Sequence, residues 1–170
     1  LWPLSRSGFP KQFLVLSGDG ANQSLFQQAI GRIHSIANQD ITLGKTLIVT
    51  NEEHRFLALD QLRELSQVNA QLLLEPIGRN TAPALTLAAL QACQDRLDPI
   101  LVVTPADQTI TELPAYIQTI EKAIQVASGG SVVVLGIKST KPEVELSDNE
   151  CDDEIVDCAD FNVENLSIPP

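Results

Sequence analysis

Short apolar, often β-branched runs alternate with helical stripes along most of this chain, and that alternation constrains its fold more than any other feature. Residues 45–50, 71–74, 99–103 and 131–137 read as strands. The last two are almost wholly apolar, as expected of strands covered on both faces. Ser24 is placed to cap a helix over residues 25–37, where Leu25, Phe26, Ile30, Ile33 and Ile36 form a stripe. Asn51 is placed to cap a second helix, with Phe56, Leu57, Leu59, Leu62 and Leu65 facing inward. Residues 81–95 form an Ala- and Leu-rich helical pattern. Residues 115–127 form another, with Ile117, Ile120, Ala123 and Ile124 on one face. Residues 1–13 read as a loop. Strands that alternate with helices of this length specify βαβ units, a parallel sheet and the α/β class, with right-handed crossovers.

Bulk properties narrow the function classes. At 170 residues the chain is one domain or part of a larger one. The formal charge of −11 is unevenly spread. Nine of the 22 acidic residues lie in residues 144–170, which hold no Lys or Arg; removing them leaves 13 acids against 11 bases, a formal charge near −2. The body is nearly neutral, so nucleic acid is not an expected partner. The tail at 144–170 reads as disordered or weakly paired, separate from a body at 1–143. No apolar stretch is long enough to span a bilayer, and residues 1–13 lack a basic segment followed by an apolar one. A cytoplasmic location without membrane association is expected. Cys93 falls inside a helical pattern and is expected in the core. Cys151 and Cys158 have neither CxxC spacing nor a nearby His, which argues against a zinc site.

The run Glu75-Pro76-Ile77-Gly78-Arg79-Asn80-Thr81-Ala82-Pro83-Ala84 carries the strongest functional signal. It sets a carboxylate, a guanidinium, an amide and a hydroxyl between a strand and a helix. Pro76, Gly78 and Thr81 are each also ordinary turn or helix-start residues. Together, at the carboxyl end of a parallel strand, they lie where open α/β sheets bind ligands. The next helix adds its free N–H groups.

Three runs resemble the mannose-1-phosphate guanylyltransferases. They are Leu1-Trp2-Pro3-Leu4-Ser5-Arg6 with Pro10-Lys11-Gln12-Phe13, then Leu74 to Ala84, then Thr104-Pro105-Ala106-Asp107. Weaker echoes are Asn51 with His54-Arg55-Phe56, and Gly136-Ile137 ahead of Thr140-Lys141-Pro142-Glu143. The resemblance implies a doubly wound, Rossmann-like nucleotidyltransferase domain with helices on both faces of a mainly parallel sheet. It implies guanylyl transfer from GTP to mannose 1-phosphate, giving GDP-mannose and pyrophosphate, with Mg²⁺ as cofactor.

The resemblance also assigns roles. Lys11 would neutralise nucleotide phosphates, with Arg6 assisting. Asp107 would hold Mg²⁺ through a hard carboxylate oxygen. Glu75 would read guanine, because a carboxylate accepts hydrogen bonds only and guanine offers two adjacent N–H donors. Arg79, Asn80 and Thr81 would complete the base and ribose pocket; pairing with a scaffold carboxylate is the alternative for Arg79.

The pattern departs from the family at both ends. The family's Gly-Gly-x-Gly-Thr-Arg loop, which wraps phosphates through backbone N–H groups, stands before Leu-Trp-Pro, where this sequence starts. After Glu143 the family continues with Thr-Gly-Tyr-Gly-Tyr-Ile and a sugar-binding half, whereas here the acidic stretch follows. A domain truncated at both ends is therefore expected, its tail the product of a frame shift, fusion or rearrangement. Gln108 stands where the family has His, and Gly20-Ala21-Asn22 reads as a loop insertion. Two further readings stay open: a catalytically inactive nucleotide-binding module, and an interaction remnant whose acidic tail meets a basic partner. Homo-oligomerisation is open as well.

Overall fold

The structure is a computed structural model of the whole chain and describes residues 4–6, 8–16, 22–65, 68–78, 80–94, 97–136 and the backbone of 163–166. It forms two compact units, divided after Ile117.

The first unit is built on one βαβ element. Strand β1 (Thr46–Asn51) and strand β2 (Ala70–Glu75) pair in parallel, from Thr46 against Ala70 to Asn51 against Glu75. The crossover between them carries helix α2 (Arg55–Glu64). Helix α1 (Leu25–His34) precedes the sheet and helix α3 (Thr81–Ala92) follows it. The α/β reading is thus borne out, with a parallel pair and helices around it. A bare two-stranded sheet is marginal in water, so its stability depends on the helices that cover it.

The core shows how that cover works. Phe13, Phe26, Ile30 and Ala58 form its buried centre, and Ile48 and Leu72 pack against it from the sheet. Ile48 and Leu72 are partners in the register, so both side chains project from the same sheet face. The rings of Phe13 and Phe26 lie 5.4 Å apart at 53°, a tilted geometry that favours aromatic pairs. Leu57, Leu62, Leu65 and Ala106 close the periphery.

Helix α1 starts where Ser24 places it. The Ser24 hydroxyl accepts from the Gln27 N–H at 3.2 Å, and the Gln27 side chain accepts from the Ser24 N–H at 3.0 Å. This reciprocal pair satisfies two of the N–H groups that a helix start leaves free. Arg32 on the same helix is 6% exposed, and its Nε and Nη2 have no hydrogen-bond partner among the described residues. Desolvation holds the Arg32 guanidinium below its ordinary range, partly offset by Tyr116.

Several expectations need correction. Asn51 caps a 3₁₀ turn, Glu52–His54, by accepting from the Glu53 N–H at 3.1 Å; α2 begins only after it. Phe56 is exposed rather than inward, and the Arg55 guanidinium stacks over its ring at 4.5 Å. The buried position on α2 is Ala58, a small side chain in the same buried cluster as Phe13. Cys93 is exposed rather than in the core. It follows α3, a helix with no buried residue and with Leu87 and Leu90 exposed. Residues 99–103 are not a strand. A strand is defined by its partner, and no described residue pairs with this segment.

In the second unit, strand β3 (Val132–Leu135) pairs antiparallel with strand β4 (Val163–Leu166), from Val132 against Leu166 to Leu135 against Val163. Helix α4 (Leu113–Ala127) crosses the division between units, and its Ile120 and Ala123 are buried. Gly130, at φ 89°, makes the turn into β3 in a conformation that glycine adopts without penalty. Cys151 and Cys158 lie outside the described residues.

Candidate nucleotide site

Lys11 and Asp107, far apart in sequence, meet in the fold: Nζ lies 3.8 Å from Oδ2. Each is held by a neighbour. Lys11 opens a 3₁₀ turn, Lys11–Phe13, whose last residue is the buried Phe13. Asp107 follows Ala106, which packs on the same core. Burying a nearby residue, Phe13 or Ala106, fixes the backbone, and the charged group projects outward. Both side chains are half-exposed, 42% and 50%, and so remain open to a ligand.

A hydrogen-bonded chain braces the Lys11 turn from behind. The Gln61 side chain donates to the Phe13 carbonyl at 3.0 Å, and the Ser24 hydroxyl donates to Gln61 Oε1 at 2.6 Å. Gln27 Nε2 donates to the Gln61 carbonyl at 3.0 Å and to Glu64 Oε2 at 2.7 Å. The turn is thereby tied to the start of α1 and the end of α2. Sequence reasoning missed Gln61, since one Gln on an amphipathic helix has no signature. The Ser24 cap, which it did read, was the available clue to the network.

Glu75 is the last residue of β2, half-buried, and sits beside Asn51, the last residue of β1. Their shared register puts both at the carboxyl edge of the parallel pair, where α/β sheets take ligands. Asn80 and Thr81 are exposed at the entry to α3. Asn80 occupies the N-cap position without a side-chain capping bond, at φ 67° and ψ −169°. That backbone region belongs almost entirely to glycine and costs roughly 1–3 kcal/mol for other residues. Arg79 lies outside the described residues. Arg6 is exposed and, with Leu4, Gly8 and Phe9, lines an open concavity of about 310 Å³; its backbone bridges to Phe9 at 2.9 and 3.1 Å. No hydrogen bond or ion pair joins Glu75, Asn80 or Thr81 to the Lys11–Asp107 pair among the described residues.

The strain at Asn80 separates its two possible purposes. Asn80→Gly is expected to raise the melting temperature, by about 2–4 °C per kcal/mol of strain relieved. If the amide contacts nucleotide, the same variant binds GTP more weakly. Thermal melts and calorimetry on one preparation check both, and unchanged GTP affinity removes Asn80 from the pocket.

A nucleotidyl transferase family model matches residues 1–146. The chain belongs to the nucleotidyl transferase family. It is similar to the mannose-1-phosphate guanylyltransferase of Escherichia coli, at 42% identity over 143 residues, covering 84% of this chain and 29% of that protein. The alginate biosynthesis protein AlgA of Pseudomonas aeruginosa is 41% identical over 84% of the chain and 28% of its own length. The xanthan biosynthesis protein XanB of Xanthomonas campestris is 43% identical, with 84% and 29% covered. This nucleotidyl transferase chain thus spans less than a third of the relatives it matches. No solved structure matches it. No helix among the described residues is long and apolar enough to cross a membrane.

Proposed function

We propose that this chain carries the nucleotide-binding part of a mannose-1-phosphate guanylyltransferase acting in the cytoplasm. The reaction joins a phosphate oxygen of mannose 1-phosphate to the α-phosphorus of GTP. The bond from that phosphorus to the bridging β-phosphate oxygen breaks, and pyrophosphate leaves. The observation that carries the reading is the 3.8 Å approach of Lys11 to Asp107, in a chain whose relatives bear that activity in their names.

Phosphoryl and nucleotidyl transfers depend on positioning and on neutralising phosphate charge. Lys11 supplies a cation on a braced turn, and Arg6 a second on the same N-terminal segment. Glu75 takes the two adjacent N–H donors of guanine, which adenine lacks. Asn80 and Thr81, with Arg79, flank the base and ribose.

Among the described residues no three His, Cys, Asp or Glu side chains cluster as a cage. Asp107 offers a half-exposed carboxylate beside a phosphate-directed lysine. One carboxylate with substrate phosphates and water completing the shell is a usual arrangement for Mg²⁺. When bound, the ion would neutralise charge on the phosphates.

Glu75→Gln is the direct test of base recognition. It replaces one acceptor oxygen by a donor that opposes guanine's own N–H. GTP affinity is expected to fall about tenfold, the scale of one charged hydrogen bond, with ATP affinity unchanged. Competition binding measures the ratio; an unaltered ratio removes Glu75 from this role.

A further inference from the structure

We propose that Gln61 is a positioning residue for nucleotide binding: it holds the turn that carries Lys11 in reach of the phosphates. The inference rests on the nucleotide reading of Lys11 given above. Among the described residues, Gln61 hydrogen-bonds no candidate site group itself. Its Nε2 donates to the carbonyl of Phe13, the last residue of the Lys11 turn, at 3.0 Å. Its Oε1 accepts from the buried Ser24 hydroxyl at 2.6 Å, and its backbone carbonyl accepts from the buried Gln27 side chain at 3.0 Å. The amide is therefore fixed at both ends and cannot flip without breaking two bonds at once. Phe13 is fixed as well, since its ring is buried against Phe26.

Apart from the buried Phe13 ring, few hydrogen bonds hold the turn. A 3₁₀ turn of three residues has few internal bonds; here Phe13 N–H donates to the Pro10 carbonyl at 3.1 Å and Leu14 N–H to the Lys11 carbonyl at 3.0 Å. Leu25 N–H adds a bond to the Leu14 carbonyl at 3.2 Å. Among the described residues, Gln61 is the α2 side chain that hydrogen-bonds this turn. It couples the turn to the α1 cap, so the direction of Lys11 depends on a residue remote from the ligand in sequence.

Two variants of the whole chain test this. Gln61→Leu removes both side-chain bonds. Gln61→Glu keeps the shape and the acceptor for Ser24 but loses the donor to Phe13. Ile48→Val trims the same core from the sheet side and controls for lost stability. Amide hydrogen exchange and GTP affinity by calorimetry are read on each. Both Gln61 variants are expected to exchange the Phe13 and Leu14 amides about tenfold faster than the control and to bind GTP about tenfold more weakly, the scale of an unsatisfied polar group. Exchange at those amides no faster than in Ile48→Val overturns the proposal, whatever GTP does. Faster exchange with GTP affinity equal to the control overturns it too. Should the unmodified chain fail to bind GTP while the variants still loosen the turn, the nucleotide reading falls and the hold of Gln61 on Lys11 stands.

Discussion

Replacing Phe13 by alanine is expected to lower the unfolding free energy by about 3–5 kcal/mol, the usual cost of emptying a buried aromatic site. The side chain is 3% exposed and lies at the centre of the core, against Phe26, Ile30 and Ala58. Whole domains have only about 5–15 kcal/mol to lose, so the variant is expected to unfold at far lower urea. The loss is not confined to packing. Phe13 ends the Lys11 turn and its ring anchors that turn in the core, so Phe13→Ala should weaken GTP binding along with stability. Urea titration followed by far-UV circular dichroism measures the first effect. A loss under about 1 kcal/mol would mean that the surrounding core collapses to fill the site, and would contradict a central packing role for Phe13.

Lys11→Ala should do the opposite, costing binding and sparing the fold. The ion pair with Asp107 is half-exposed, and pairs of that kind contribute roughly 0–1 kcal/mol. A charged contact to phosphate is worth about 1.5–3 kcal/mol. GTP affinity is therefore expected to fall about 10- to 100-fold, while the melting temperature moves by a few degrees at most. Calorimetry beside a thermal melt separates the two. A large drop in melting temperature with little change in affinity would make Lys11 a structural residue.

What could be read in the sequence was whatever one segment decides for itself. Ser24 caps α1 because its hydroxyl and the Gln27 amide are three residues apart. The runs around Thr46–Asn51 and Ala70–Glu75 were legible as strands, and helix length between them implied the parallel pair. What failed depended on a partner elsewhere in the chain. Periodicity places Phe56 on an apolar stripe but does not say which side of α2 the core occupies; the core takes Ala58 and Phe56 is left to Arg55. Cys93 sits in an Ala- and Leu-rich stretch, yet α3 buries none of its side chains. Residues 99–103 have strand composition without a described partner.

The site divides in the same way. Glu75 could be placed at a strand end from the run alone, and the structure puts it there beside Asn51. Lys11 and Asp107 were singled out separately, by resemblance; only the fold brings them together. Gln61 carries no pattern at all, and its place became visible through three hydrogen bonds to residues of other segments. The positive φ of Asn80 was equally hidden, since Asn is common in turns and its backbone angle is set by how β2 hands over to α3.

The proposed function requires that the chain hold a guanine nucleotide at the carboxyl edge of its parallel pair. Calorimetric titration of the whole chain with GTP and with ATP, each with and without Mg²⁺, tests it most directly. Binding of GTP that requires Mg²⁺ and is at least about tenfold tighter than binding of ATP is the expected result, on the scale of one charged hydrogen bond to the base. Equal affinity for the two nucleotides, or no heat from either, would contradict it.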